Sequence, residues 1–297
     1  MSDAASRRVG ARRGTLFVVA TPIGNLADLS RRAAEVLAAV EAVCCEDTRH
    51  TGKLLEYAGV QAKRLLAVHA HNESAQLAAV LGLLGSGADV ALVSDAGTPL
   101  ISDPGGRLVA AAIEAGYDVT VVPGPSAALA ALVVSGFAVD RFRFEGFLPR
   151  KGAERRSRLA EIASAPCPTV VFEAPNRVEK TLGDIRATSG ADRRVTIARE
   201  LTKLHEEVWR GRLDEAVARA QHAAARGEYV LVVEAARRRP QTPAAEVREA
   251  ISRLVAAGIA WREAAAAVEV LLAVPHRVAY AAALEVRGDS AEGRTSA

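Results

Sequence analysis

The sequence predicts an α/β fold with two α/β domains followed by a small helical C-terminal extension. The first half alternates short apolar runs with amphipathic stretches, a pattern typical of strands and helices around a mainly parallel sheet. Its Val- and Leu-rich runs lack polar alternation, as expected for strands that are buried on both faces. The alternation restarts after Gly136, and three short helical patterns follow a linker at 237–243.

The first domain is predicted to span residues 14–135. Its strands are expected at 15–20, 42–45, 65–68, 90–94 and 119–122. Apolar stripes at helical spacing within 29–40 and 77–84 predict helices between these strands. Glycines stand where helix C-caps are expected, at Gly59, Gly116 and Gly136.

The second domain is predicted to span residues 136–239 and the helical extension residues 240–287. Strands of the second domain are expected at 141–147, 169–172, 194–198 and 229–233, and helices at 153–163, 178–188 and 213–225. The extension is expected to hold helices at 245–256, 261–272 and 275–286. The polar ends of the chain, 1–13 and 288–297, are expected to be disordered tails.

Composition sets broad limits on location and partners. The formal net charge is +3 and half of the residues are apolar, which permits an anionic partner without requiring one. No apolar run is long enough to span a bilayer, and residues 1–13 lack the apolar core of a secretory signal, so a cytoplasmic protein is expected. Cys44, Cys45 and Cys167 form no CxxC pattern and are predicted to be buried free thiols.

Several common site motifs are absent from the sequence. It contains neither GxGxxG nor GxxxxGK[ST], so the usual dinucleotide fingerprint and the P-loop are excluded. It also lacks the GxSxG of an α/β-hydrolase. His69 and His71 are spaced as a lone HxH without HExxH or cysteine partners, so no metal site is expected.

Polar turns follow four of the predicted strands, at 21–25, 46–50, 69–73 and 94–99. Ligands of an open parallel sheet bind at the carboxyl ends of its strands, and all four turns map to that edge. Each turn alone also has a purely structural explanation as a tight turn or a helix N-cap. Four of them on one edge favour a functional site.

The most specific motifs are ATPIGNL at 20–26, EDTRHT at 46–51, VSDAGTPLISDPG at 93–105, PGPSA at 123–127 and ARELTK at 198–203. They resemble those of the small-subunit (16S) ribosomal RNA cytidine 2′-O-methyltransferase family, which belongs to the tetrapyrrole-methylase superfamily (class III methyltransferases). The resemblance implies two α/β domains with S-adenosylmethionine between them and a homodimer. It also implies that the substrate is the ribose of a cytidine in small-subunit ribosomal RNA, within the assembled 30S subunit.

The donor site is expected on the loop at 95–101 and at the start of the helix after Ser126. Gly97 lets the backbone approach a ligand closely, and free N–H groups at Ser126 and Ala127 can hold a carboxylate or a hydroxyl. The complete set of expected donor-binding residues, several of them implied only by the resemblance, is Pro22, Ile23, Asp95, Gly97, Thr98, Ile101, Ser126, Ala127, Phe172, Leu201 and Val230.

The acceptor side is expected on the turns at 46–50 and 69–73. A ribose hydroxyl is a very weak acid, so a base or hydrogen-bond acceptor should assist the transfer. The candidates are Glu46, Asp47, His69, His71, Glu200 and Lys203, and no spacing selects one of them. Glu46 has the alternative of pairing with Arg49, and Lys203 that of contacting phosphate.

The segment 141–158 is the predicted RNA clamp, because it holds seven basic residues and only two acidic ones. Such residues contact phosphates and supply affinity without base specificity. A solvated helix face is the alternative explanation, and Arg237, Arg238 and Arg239 are the next candidates. The expected RNA-binding residues are Arg49, Arg150, Lys151, Arg155 and Arg156.

Two other functions stay open at this point. A tetrapyrrole C-methyltransferase, acting on a precorrin or uroporphyrinogen, would share the fold and the donor. A non-catalytic ribosome-assembly factor would share the basic surface without using the donor.

Overall fold

The computed structural model describes residues 13–68, 72–222, 225–236, 243–272 and 274–292. The chain divides after Ala236 into two compact units. The first unit holds two five-stranded sheets with their helices, and the second holds three helices. The predicted fold class is therefore confirmed. Within the described ranges, no helix combines the length and apolar character needed to cross a membrane.

The first sheet has the strand order β3-β2-β4-β1-β5 and is parallel throughout. Its strands are β1 (Thr15–Val19), β2 (Ala42–Cys45), β3 (Leu65–Ala67), β4 (Val90–Val93) and β5 (Asp118–Val122). Every residue of β2 and β4 is buried, as their unbroken apolar sequences predict. Because all five strands run the same way, their carboxyl ends share one edge.

Five helices belong to this sheet: α1 (Arg31–Ala39), α2 (Thr48–Tyr57), α3 (Glu73–Gly85), α4 (Gly106–Glu114) and α5 (Ala127–Ser135). Three of them begin at a side-chain cap, which satisfies one otherwise unpaired backbone donor. Oxygen atoms of the Ser30, Asp47 and Ser126 side chains accept from the backbone N–H groups of Ala33, Arg49 and Leu129. These caps fix where each helix leaves the site edge.

The second sheet has the strand order β6-β7-β10-β8-β9. Its strands are β6 (Arg143–Phe147), β7 (Thr169–Glu173), β8 (Arg194–Arg199), β9 (Glu207–Arg212) and β10 (Tyr229–Val233). Only the β6–β7 pair is parallel. The sequence did not predict β9, because this edge strand has no fully buried residue and its residues are mostly polar.

Helices cover both faces of the second sheet. On one face lie α6 (Ala153–Ser164), α7 (Val178–Ser189) and α8 (Leu213–His222), which bury Ile162, Ile185 and Leu213 against the sheet. On the other face, α5 packs Ala128, Ala131 and Leu132 against strand residues of β7, β8 and β10. Because α5 follows β5 of the first sheet and packs on the second, it links the two layers. This position explains its almost wholly apolar sequence.

The C-terminal unit consists of α9 (Ala244–Ala256), α10 (Trp261–Leu271) and α11 (His276–Glu292), which share an apolar core of their own. The prediction of a disordered tail from residue 288 is wrong for residues 288–292, because α11 continues to Glu292. The other predicted domain limits stay predictions. Residues 237–242 of the predicted linker lie outside the described residues. They include the candidate RNA-binding residues Arg237, Arg238 and Arg239.

The cysteines are free, and Cys44 and Cys45 are buried in β2 as predicted. Burial, reinforced by the neighbouring Cys45, raises the pKa of the Cys44 thiol to about 12. Cys167 is only half-buried, so the prediction of burial is wrong for that residue.

Candidate functional site

A cavity of about 380 Å³ lies where strand-end loops of the first sheet meet strand ends of the second. Most of the expected donor-binding residues line it: Ile23, Gly97, Thr98, Ile101, Ser126, Ala127, Phe172 and Val230. The structure thus brings together residues that lie as much as two hundred positions apart in the sequence.

Three expected donor-binding residues do not line this cavity. Pro22 is buried beside it, and Leu201 is buried in an apolar cluster with Ile23 and Val230. The carboxylate of Asp95 accepts a hydrogen bond from the backbone N–H of Asp47 at 3.2 Å.

Hydrogen bonds hold the loop after β4 in a fixed position. Thr21 and Gly97 exchange two backbone hydrogen bonds of 2.9 and 3.1 Å, and the Thr21 hydroxyl donates to the carbonyl oxygen of Ser94 at 3.0 Å. The Thr98 hydroxyl donates to the carbonyl oxygen of Pro125 at 3.1 Å. The loops after β1, β4 and β5 are therefore tied to one another at the cavity.

Backbone strain is concentrated in two loops of the site region. In the described part of the chain, the non-glycine residues with positive φ are Leu100, Ser102, Glu200 and Thr202, with φ of 73°, 68°, 52° and 66°. Such conformations are uncommon and persist where the surroundings enforce them, often at functional sites. Leu100 and Ser102 flank Ile101 of the cavity wall. Glu200 packs against Gly227, another wall residue.

The charge of the cavity wall is negative. Among the described lining residues, Asp103, Glu173 and Glu228 are acidic, and none is Lys, Arg or His. Glu173 is neutralised in part, since it accepts from the Thr181 hydroxyl at 2.6 Å and pairs with Arg177 at 3.2 Å. Burial, with added repulsion from Glu46 and Asp95, raises the pKa of Asp103 to about 6. This arrangement favours a ligand that carries positive charge.

Asp47, one of the expected catalytic residues, is used as a helix cap. Its carboxylate accepts from the backbone N–H of Arg49 at 2.8 Å, and this bond is the main reason why its pKa is lowered. The exposed Arg49 also lies 3.5 Å from it. Glu46 is exposed at the same strand end, near enough to Asp103 to influence its pKa. The expected catalytic His71, like His69, lies outside the described residues.

Lys203 is held by two carboxylates. Its Nζ lies 3.0 Å from Glu200 Oε1 and 3.1 Å from Glu228 Oε2. Partial burial acts to lower the pKa of Lys203, but the bonds to Glu200 and Glu228 outweigh it and raise the pKa. Both ion pairs favour the protonated ammonium, which cannot accept a proton, so this arrangement does not favour Lys203 as the base. It is a positioning residue that fixes Glu228 on the cavity wall.

The predicted RNA clamp divides into exposed and buried members. Arg150, Lys151 and Arg156 are exposed around the start of α6. Arg155 is only 5% exposed, and its guanidinium donates to Asp184 at 2.9 and 2.7 Å and to the Pro149 carbonyl oxygen at 2.8 Å. The prediction that Arg155 binds RNA is therefore wrong, because its donors are turned into the protein.

Sequence reasoning missed several residues of the cavity wall, among them Ser102, Asp103 and Phe147. Ser102 and Asp103 stand inside the motif at 93–105, so their position in it was a usable signal. Phe147 ends strand β6 and is 51% exposed, which its place in an apolar strand pattern did not indicate. Gly227 and Glu228 gave no signal, because a glycine followed by a charged residue looks like an ordinary turn.

Fold and site together define the class of protein. Residues 15–217 match the family of tetrapyrrole (corrin/porphyrin) methylases. Among solved structures, a cobalt precorrin-4 methyltransferase superposes with a TM-score of 0.59 at 14% identity, covering 74% of this chain and 94% of that one. The uroporphyrin-III C-methyltransferase of Thermus thermophilus superposes with a TM-score of 0.53 at 21% identity, covering 75% and 94%. At these identities the likeness concerns the fold.

Curated relatives define the family more narrowly. The ribosomal RNA small subunit methyltransferase I of Synechocystis sp. is 42% identical over 278 residues, covering 93% of this chain and 99% of the relative. The protein of that name from Escherichia coli O157:H7 is also 42% identical, covering 93% and 96%. That of Xylella fastidiosa (strain Temecula1) is 50% identical over 229 residues, covering 75% and 82%. The chain belongs to this family of tetrapyrrole methylases, as its motifs predict.

Proposed function

We propose that the protein transfers a methyl group from S-adenosylmethionine to the 2′-hydroxyl of a cytidine in small-subunit ribosomal RNA. The acidic cavity carries this proposal. S-adenosylmethionine presents a sulfonium and an ammonium group, and a cavity wall with three carboxylates and, among its described residues, no basic side chain suits such a ligand. The names of the relatives support ribosomal RNA as the acceptor.

The wall offers a partner for each part of the donor. Asp103 supplies negative charge for the ammonium or sulfonium group, and Glu228, which also pairs with Lys203, adds a second carboxylate on the wall. The apolar surfaces of Phe172 and Val230 suit the adenine ring. The nine-residue helix α5 begins at Ala127, so its first N–H groups can hold the methionine carboxylate.

The chain contributes mainly by positioning during the transfer. Bound S-adenosylmethionine supplies an activated methyl group, so aligning the ribose hydroxyl with it accounts for much of the acceleration. The strained loop at 100–102 and the tied loops after β1, β4 and β5 hold the wall rigid, which favours such alignment. Glu46 is exposed on this edge, and we assign it the hydrogen bond from the ribose hydroxyl.

Two surfaces complete the proposal. Arg150, Lys151 and Arg156 contact RNA phosphates, and Arg49 does so beside the first sheet. A second copy of the chain covers an apolar patch on β5 and α5, where Val121, Leu129 and Val133 are 52%, 50% and 75% exposed. The resulting homodimer works on 30S subunits in the cytoplasm.

Methylation of subunits from a strain that lacks the gene tests the proposal. Purified protein and S-adenosylmethionine should add one methyl group per 30S subunit, and nuclease mapping by mass spectrometry should find it on the ribose of a cytidine. A methyl group on a base, or transfer only to a uroporphyrinogen or precorrin, would assign a different acceptor. Calorimetry that detects no donor binding would instead favour the non-catalytic assembly factor.

A further inference from the structure

We propose that a groove beside β6 receives the target base of the RNA, with Phe147 as the stacking surface and Glu161 with Arg143 as the hydrogen-bonding edge. This inference rests on the proposed function. The groove has a volume of about 590 Å³. Besides these three residues, its lining includes Ser102, Gly146 and Arg158.

The groove adjoins the donor cavity. Ser102 and Phe147 line both spaces, so the groove begins where the donor cavity ends. In a nucleotide the base is bonded directly to the ribose. A ribose whose 2′-hydroxyl enters the donor cavity past these two residues therefore brings its base into the adjoining groove.

The boundary between the two spaces is a built feature of the backbone. Strand β6 carries a register shift between Phe144 and Gly146, and bulges of this kind redirect side chains next to active sites. Gly146 has φ of 61°, and a Cβ built on it would lie 2.8 Å from Ser102 Oγ. Ser102 itself has positive φ. The bulge and the strained loop therefore meet at the boundary in close contact.

Phe147 has the properties of a stacking surface. Its side chain is 51% exposed, although burial would be favourable for an apolar ring. Phe172 packs edge-on against it at a centroid distance of 5.8 Å and against Phe144 at 5.1 Å. Phe172, which is itself packed against Phe144, thus fixes the orientation of Phe147 and leaves much of the Phe147 ring exposed. Single-stranded RNA bases are commonly held on aromatic rings presented in this way.

The polar edge of the groove is neutral overall, since Arg143 and Arg158 balance Glu145 and Glu161. A neutral base fits this balance better than a phosphate does. Arg143 donates hydrogen bonds to Glu145 and Glu161, and the Ser157 hydroxyl donates to Glu161 Oε1 at 3.3 Å. Glu145 is 5% exposed, whereas the Glu161 side chain is 45% exposed and available to a ligand.

This edge distinguishes cytosine from uracil. The bond from Arg143 lowers the pKa of Glu161, so that it is a carboxylate at neutral pH and accepts hydrogen bonds only. The exocyclic amino group of cytosine donates to a carboxylate, and N–H groups of Arg143 can donate to the ring acceptors. Uracil presents a carbonyl oxygen where cytosine presents the amino group, and a carboxylate repels it.

Phe147→Ala tests the stacking surface. We expect kcat/KM for 30S subunits to fall about 10- to 100-fold. The calorimetric affinity for S-adenosylmethionine, whose cavity Phe147 also lines, should fall by a clearly smaller factor. Phe147→Tyr, which keeps the ring, should retain most of the parental activity. Phe142→Ala is the control, because Phe142 is 42% exposed but lies outside the groove. An equal fall in donor affinity and in kcat/KM would assign Phe147 to the donor cavity alone.

Glu161→Gln tests the hydrogen-bonding edge. The substrates are 30S subunits in which the mapped target cytidine is kept or replaced by uridine. Because a glutamine amide can donate to the uracil carbonyl, the preference for cytidine should fall about tenfold or more. Glu114→Gln on α4 is the control, since Glu114 is exposed and does not line the groove.

The outcomes separate the two proposals. If the parent protein methylates 30S subunits and Glu161→Gln keeps the full preference for cytidine, the base-binding groove is wrong and the proposed function stands. If the parent protein fails to methylate 30S subunits, the proposed function is wrong and the groove assignment falls with it.

Discussion

Gly97 and Ile23 approach each other across the wall of the donor cavity. A Cβ built on Gly97 would lie 3.2 Å from Ile23 Cγ2 and 3.7 Å from the Pro125 carbonyl oxygen. Gly97 also has φ of 83°, in the left-handed region that side chains rarely adopt. The sequence therefore needs glycine here for two independent reasons, the backbone angle and the available space.

Gly97→Val should abolish measurable donor binding, because the side chain fills space at the cavity wall and strains the loop. We expect a loss of at least about 100-fold in calorimetric affinity and a stability loss of about 1–2 kcal/mol. Gly82→Val is the matched control, since a Cβ at Gly82 meets no atom within 4 Å. Parental donor affinity in a folded Gly97→Val protein would contradict the placement of the donor.

Donor affinity should depend on pH through Asp103. Because the pKa of Asp103 is raised to about 6, its carboxylate is ionised at pH 7.5 and mostly neutral at pH 5. We therefore expect donor affinity to fall up to about tenfold between these pH values. Asp103→Asn should bind the donor weakly at both. Asp118→Asn, on the exposed start of β5, should behave like the parent.

Asp103 should also lower the stability of the free protein at neutral pH. The folded-state pKa lies above the unfolded value of about 3.9, so folding disfavours the ionised form. This unfavourable contribution is present above pH 6 and disappears as the pH falls below about 4. Asp103→Asn should therefore raise Tm at pH 7.5 by about 2–6 °C, measured by thermal unfolding without donor. An unchanged or lower Tm would contradict the raised pKa.

The exposed clamp residues should act through phosphate contacts. Arg150→Ala with Lys151→Ala should weaken binding to 30S subunits and reduce the slope of log affinity against log salt by about 1–2. Donor affinity should not change. Lys180→Ala with Arg186→Ala removes the same charge from α7 and serves as the control. A salt dependence equal to that of the parent would move the RNA contacts elsewhere on the protein.

Arg155 and its neighbour Arg156 should differ sharply in their effects on stability. Arg155→Ala removes donors from Asp184, Thr181 and the Pro149 carbonyl oxygen in a buried network, and should lower the unfolding free energy by about 3–5 kcal/mol. Arg156→Ala should change it by less than about 0.5 kcal/mol. Denaturant unfolding of both variants measures the difference, and equal values would refute the structural role of Arg155.

The apolar patch on β5 and α5 should be the contact between two copies of the chain. Val133→Glu places a charge at the most exposed of these three residues and should convert the dimer into a monomer by light scattering at micromolar concentration. Val270→Glu on α10, where Val270 is 80% exposed, is the control. A parent protein with a monomer mass would remove the proposed dimer altogether.

The fold is predictable from the sequence because buried strands have a continuous apolar signature. Strands β2 and β10 fall at their predicted bounds, since every residue in them is buried. The edge strand β9 has no such signature. Arg155 and Arg156 look equivalent in sequence, and only the position of Asp184 on α7 buries the first of them. The raised pKa of Asp103 likewise depends on burial and on the nearby carboxylates of Glu46 and Asp95, which only the folded chain brings together.

The place of β10 in its sheet has a consequence for synthesis of the chain. This strand lies between β7 and β8, yet of the ten strands in the described residues it is the last to leave the ribosome. Until residue 233 has been translated, β7 and β8 lack the central strand that pairs with both of them. The first sheet can fold early in translation, whereas the site requires nearly all of the α/β unit. Nascent chains arrested before residue 229 should therefore lack the donor cavity.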